Sequence, residues 1–235
     1  IIHRLGGGGA SFNYETNQLT NPVSFYKDDK LLYYQGEVQS KAEWSFEVKN
    51  TSKGKGYMSS GKLINEPFDF SQKNYLALMD LHLIMQSVIF PEGIPEYCQF
   101  DLTEEDYQFL YHWMSAKPRG AKYPYYDEPD GYVKFFLYGG KEESIPDHIK
   151  IFNKVGFAYG YLTDIAYIID TKNNIEFQLS ATIHVNANQT FNDNVYEYDT
   201  IGLPFLKKIG EIVYQHELQR ERKIKPDLRK YIGKL

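Results

Sequence analysis

The chain has 235 residues, 42% of them hydrophobic and 24% charged, which suits one domain or one and a half with an ordinary core and excludes a disordered polymer. A net charge of -5 argues against nucleic acid as the main partner, because phosphate binding needs a basic stripe and most basic residues here are interleaved with acids. The single Cys98 excludes an internal disulfide and a cysteine-based zinc site, no apolar run reaches transmembrane length, and no motif asks for a metal or other cofactor. The 21 Tyr and 15 Phe predict much strand and a Tyr-lined groove.

In chain order, Gly6-Gly7-Gly8-Gly9 lacks the Gly-Lys-Ser/Thr and the preceding strand of a phosphate cradle, so it reads as a loop. Residues 23–70 alternate short aromatic runs (Val23 to Tyr26, Leu31 to Tyr34, Trp44 to Val48) with turn residues, which predicts a small antiparallel β insertion within a single domain spanning 1–235. Ser59-Ser60-Gly61-Lys62 matches the Ser-x-x-Lys nucleophile pattern. That chemistry needs a helical turn, and the surrounding glycines predict none here.

A helix is predicted from a capping Ser71 to Phe90-Pro91, with Leu81, Ile84, Met85 and Val88 as its apolar stripe and His82 beside it. A second opens at Thr103-Glu104-Glu105-Asp106, a capping box, and is predicted to bury Phe109, Leu110, Trp113 and Met114. Next come a loop region with a predicted strand at 132–138 and then three strands, 149–155, 163–169 and 175–185. The second is nearly all apolar and therefore central; the third alternates, with Ile175, Phe177, Leu179, Ala181, Ile183 and Val185 inward. Phe205, Ile209, Ile212, Val213 and His216 mark a closing amphipathic helix over that sheet. The basic tail from Arg220 to Lys234 reads either as a solvated helix end or as a contact to an anionic surface.

The stretch with chemical content is Asn153-Lys154-Val155-Gly156-Phe157-Ala158-Tyr159-Gly160-Tyr161-Leu162-Thr163-Asp164-Ile165-Ala166. A lysine at a strand end, next to a glycine that admits another backbone, suits a pocket for a carboxylate or an oxyanion; a solvent-facing hairpin lysine is the plain alternative.

Lys154-Val155-Gly156 followed by Tyr159-Gly160-Tyr161-Leu162-Thr163-Asp164-Ile165-Ala166, with the helices before and after, resembles the C-terminal part of class A β-lactamase-like serine hydrolases, in particular their Bacteroidetes-type branch. The resemblance covers most of residues 70–218. It implies an α+β fold, a penicillin-recognising antiparallel sheet flanked by helices, with the N-terminal strands and the nucleophile helix absent from this chain. The activity it implies is acyl transfer to a serine on an amide or ester, without a cofactor, in the periplasm or another exported location. The substrate would be a small molecule or peptide, and a missing N-terminal segment or a second chain would complete the sheet. By the same resemblance Lys154 and Gly156 belong to the catalytic cleft, the Phe157 N–H is an oxyanion donor, and Glu15 holds the place of the general base. Val155, Ala158 and Tyr159 line the substrate, Val155 standing where the family has a threonine. The reading that needs no resemblance is a non-catalytic module binding glycan or peptide through its aromatic residues.

Overall fold

The computed structural model describes residues 22–27, 29–36, 49–71, 73, 76–120 and 125–232. Glu15, the glycine run and the strand predicted at Trp44 to Val48 lie outside them. The chain divides into two compact units, Ile1–Ala77 with Asn188–Val195, and Leu78–Ala187 with Tyr196–Leu235. The fold is mixed α+β with mainly antiparallel sheets, as the sequence predicts at that level.

In the first unit β1 (Val23–Lys27) and β2 (Lys30–Gln35) form a hairpin, β3 (Ser52–Lys53) pairs with β6 (Phe68–Asp69), and β4 (Gly56–Ser59) turns into β5 (Lys62–Ile64). Ser60 and Gly61 have φ of 49° and 75°, the two left-handed positions of a type I′ turn. The Ser-x-x-Lys pattern therefore spans a hairpin, with Ser59 opposite Lys62 and both exposed, and no helix presents it.

The second unit opens with α1 (Leu78–Ile89), seven residues later than predicted, because Ser71 bonds back to Asp69 instead of capping a helix. Met85 and Ile89 are its buried apolar residues, with Leu81 and Val88 packed beside them, while Ile84 is 41% exposed, so the stripe is rotated from the expected one. In α2 (Glu104–Ser115) the predicted capping box is present: Asp106 N–H donates to Thr103 Oγ1 and Thr103 N–H to Asp106 Oδ2. The predicted buried face of α2 holds at Met114, which packs against the core, and is corrected at Phe109 and Trp113. Tyr107 and Tyr111 are inside, whereas Phe109 and Trp113 are 63% and 51% exposed. Tyr111 can be buried because its hydroxyl donates to Val88 O at 3.0 Å, which removes the penalty that would otherwise favour Phe or Trp.

The strand predicted at 132–138 is also overturned. A 3-10 turn (Asp130–Tyr132) leads into α3 (Phe135–Tyr138), one irregular turn whose four residues are all buried. Leu137 sits there at φ 71°, a conformation that costs a non-glycine residue roughly 1–2 kcal/mol and persists only where its surroundings impose it.

The sheet of this unit is β7 (Ile149–Ala158), β8 (Tyr161–Asp170) and β9 (Ile175–His184), antiparallel in the order β7-β8-β9. β8 is central and buried from Leu162 to Asp170, as its nearly all apolar sequence predicts, with Asp164 buried as a polar exception. Tyr159 and Gly160, at φ 54° and 81°, make a type I′ turn between β7 and β8. The second turn is pinned by Asp170, whose Oδ1 accepts from the N–H groups of Lys172 and Asn173 and whose Oδ2 accepts from Tyr214 Oη at 2.6 Å.

Two apolar layers sandwich this sheet. One joins α3, Ile151, Leu162, Ala166 and Ile168 to α4 (Leu203–Gln219); the other joins α1, α2, Phe152, Ile165 and Tyr167 to the tail residues Leu228 and Tyr231. The inward residues of β9 from Phe177 to Ile183 pack in the first layer as expected. Its opposite face is partly covered too, since Ser180 meets His82 of α1 and Gln178 Nε2 donates to His82 O. The buried line of α4 is Leu206 and Gly210, with Leu203, Ile209 and Tyr214 alongside, while Phe205 and Ile212 face outward at 41% and 58% exposure. The predicted apolar face was displaced because Gly210, invisible to hydropathy, is the closest approach: a Cβ there would lie 2.7 Å from the backbone nitrogen of Leu137. The tail carries α5 (Arg229–Ile232), and Lys230 bonds Ile89 O, so part of the basic stretch is structural.

Between β9 and α4 the chain leaves this unit. Residues 188–195 supply β10 (Thr190–Phe191), which pairs in parallel with β4, and the Phe191 ring is 1% exposed against Phe68 and Phe70.

Candidate active site at the edge of the sheet

Side chains alternate between the faces of a strand. On β7 this separates the residues the sequence groups together. Lys154, Gly156 and Ala158 belong to the face that carries Phe152 and looks toward α1 and α2, whereas Val155 and Phe157 belong to the face of α3 and α4. Tyr159 lies in the turn at positive φ.

The first of these faces ends in a polar strip. Reading across the registers gives Lys154, Ile165 and Ser180, then Gly156, Thr163 and Thr182, then Ala158, Tyr161 and His184. Thr163 Oγ1 and Thr182 Oγ1 are 2.9 Å apart, His82 Nδ1 is 2.8 Å from Ser180 Oγ, and the rings of Tyr161 and His184 stack at 4.0 Å. The alternating apolar and polar pattern of β9 predicted an outward face; it did not show that His82 reaches it.

Beside the strip runs the outer edge of β7, which has no second strand neighbour among the described residues. The carbonyls of Ile151 and Val155 accept bonds from lysine side chains, so the odd-numbered residues of β7 turn their backbone groups away from β8. The alternation of an antiparallel pair then directs the Phe157 N–H outward as well. Lys154 Nζ donates to Val155 O at 2.7 Å along this edge. Lys154 is exposed by surface area, but its amine is folded back on the strand, and this partial desolvation lowers its pKa while the charge of Asp164 acts the other way.

The edge is held from beneath by a buried constellation that the sequence did not single out. Asp164, 0% exposed, sits opposite Val155 in register; its Oδ2 accepts from the N–H groups of Phe135 and Phe136, both at 3.1 Å, and its Oδ1 from Asn153 Nδ2 at 2.9 Å. Asn153 Nδ2 also donates to Val133 O, and its Oδ1 accepts from Lys134 Nζ at 2.7 Å. Lys134, 2% exposed, fills its remaining donors with Met114 O and Ile151 O. Burial pushes the Asp164 carboxyl up to about 6, against the pull of Asn153, the two N–H groups and Lys134. Burial pulls the Lys134 ammonium down to about 8, opposed by Asp164 and Asp130. Asp164 was legible as part of a motif. Lys134 was hidden in an aromatic run that read as a strand.

Among the described residues no group of His, Cys, Asp and Glu could hold a metal ion, and no helix is long and apolar enough to cross a membrane. Glu15 lies outside the described residues. Comparison with family models, with curated proteins and with solved structures yields no match to this chain.

Proposed function

We propose that this chain forms the substrate-strand side of an acyl-transfer site, in the manner of the C-terminal part of a β-lactamase-like serine hydrolase. The observation that carries the reading is the outer edge of β7, where the Lys154 amine bonds Val155 O and strand alternation turns the Phe157 N–H to the same side, at the end of a polar strip. An extended acyl chain can add to such an edge as a further strand, bonding the free backbone groups. The Lys154 ammonium would attract a substrate carboxylate and ease deprotonation of the attacking hydroxyl. The Phe157 N–H would be one of two donors to the oxyanion; such a donor contributes about 2.7–4 kcal/mol in the transition state. No described helix carries Ser-x-x-Lys, so the nucleophile belongs to residues other than those described. The family's exported location follows from the same reading.

A second reading, a glycan- or peptide-binding module, is favoured by the β1–β2 hairpin, where Tyr26, Tyr33 and Tyr34 are 56–58% exposed. This chain alone is expected to be inert to acylating probes; hydrolysis of an activated ester and of a chromogenic cephalosporin by the whole protein, nucleophile segment included, separates the two. Turnover that falls about a hundredfold in Lys154→Met supports the site at β7. Absence of any ester turnover or covalent labelling by a fluorophosphonate, with retained binding of an oligosaccharide or peptide, refutes it in favour of the module.

A further inference from the structure

Three polar side chains lie under the edge of β7, each no more than 7% exposed, where an apolar trio would be cheaper to bury. Their bonds lead to the two flanks of one short segment. Asn153 immediately precedes Lys154, and it is clamped by Lys134 on one side and Asp164 on the other. On the other flank Asp164 holds the N–H groups of Phe135 and Phe136 at the entry to the turn that strains Leu137, and the Phe135 ring packs against the Phe157 ring with centroids 6.4 Å apart.

We infer that Asp164, acting through Asn153 and through Phe135, is the positioning residue of the Lys154–Phe157 edge; it pairs with Val155 across β7 and β8, one residue along from the partner of Lys154. This rests on the proposed acyl-transfer site for its catalytic meaning, though not for its physical content. The cations in the field of Asp164 are Lys134, which reaches it through Asn153, and Lys154 on the neighbouring strand; Asp130 acts in turn on Lys134. Among the described residues no charged group bonds Asp164 directly; its partners are the two backbone N–H groups and the Asn153 amide. The burial-lowered Lys154 amine is thus sensitive to the loss of a single buried carboxylate.

The test is a titration of Lys154 in the whole protein labelled with 13C at lysine Cε, the resonance being assigned by its loss in Lys154→Arg. Asp164→Asn, close to isosteric, should move the Lys154 midpoint to lower pH. Asn153→Ala, which keeps the Asp164 charge but cuts the clamp, should leave that midpoint nearer to wild type and lower kcat for an activated ester about tenfold with little change in KM, as a misplaced donor does. If Asp164→Asn does not fold, Asn153→Ala carries the kinetic arm and Asp164→Ser, smaller and equally uncharged, the electrostatic one, with the same shift of the Lys154 midpoint to lower pH expected. Variants that lose thermal stability while the Lys154 titration and the kcat/KM pH profile superimpose on wild type would overturn the inference and make the constellation merely structural. A wild-type protein without ester turnover would refute the proposed function, and the Lys154 midpoints would still decide this inference.

Discussion

A carboxyl group that folds into an apolar layer leaves its mark on stability, and Asp164 allows the size of that mark to be worked out. Its ordinary value of 3.8 rises to about 6 in the folded protein, mainly through burial. Between those values the folded state binds more protons than the unfolded state, so stability is greatest below the unfolded value and is lost as pH rises through about 6. The difference corresponds to about 3 kcal/mol at 1.36 kcal/mol for each decade of proton affinity. In Asp164→Asn this dependence disappears. Thermal unfolding of wild type and variant across pH 4 to 7 therefore diverges: relative to the variant, wild type loses about 6–12 °C of midpoint over that range, at the 2–4 °C per kcal/mol typical of a chain this size. Other carboxylates titrate in both proteins and cancel in the difference. Parallel curves would refute the argument, showing that water or a rearranged partner stabilises the buried carboxylate. Lys134 acts at the alkaline end with the opposite dependence. Its folded value of about 8 lies below the ordinary 10.5, so stability rises with pH across that interval and Lys134→Met flattens the rise.

Three further outcomes are expected. Lys154→Met should cost no more than about 1 kcal/mol in urea unfolding, since its side chain is exposed, yet lower ester turnover about a hundredfold, or about 2.7 kcal/mol. Gly210→Ala should destabilise by about 1–3 kcal/mol despite the better helix propensity of alanine, because the added methyl would meet the backbone of Leu137; calorimetry reads the change. Tyr231→Phe should cost about 1 kcal/mol by removing the bond to Ile89 O at 2.8 Å, and faster amide exchange at 228–232 would show the tail loosening.

Local chemistry was well legible where a single residue decides it. The capping box of Thr103 and Asp106, the Gly160 turn and the nearly all apolar run of β8 predicted what is present. Helix faces were legible only in part, because hydropathy ranks Phe and Trp above Tyr, whereas Tyr107 and Tyr111 on α2 are the residues inside. The short turn at Phe135–Tyr138 defeated the strand prediction because its backbone donors are satisfied by Asp164, twenty-eight positions further along than Phe136. The site suffered from the same cause. Strand periodicity places Lys154 and Gly156 on one face and Val155 and Phe157 on the other, but no local pattern brings Lys134 beneath them.

The detour of residues 188–195 has a consequence for how the protein comes off the ribosome. Phe191 completes the aromatic cluster of Phe68 and Phe70, and β10 supplies the parallel neighbour of β4, yet both are made only after some 110 residues of the other unit have emerged. The segment up to Ala77 is therefore sealed only after the unit that follows it has been made, and its closure awaits a contact of long sequence separation, the kind that slows folding most. A nascent chain stalled before residue 188 would present Phe68 and Phe70 without their cover. Chaperone binding during synthesis would therefore fall on this segment until residues 188–195 arrive, and a fragment ending at Ala77 would keep Phe68 and Phe70 exposed permanently.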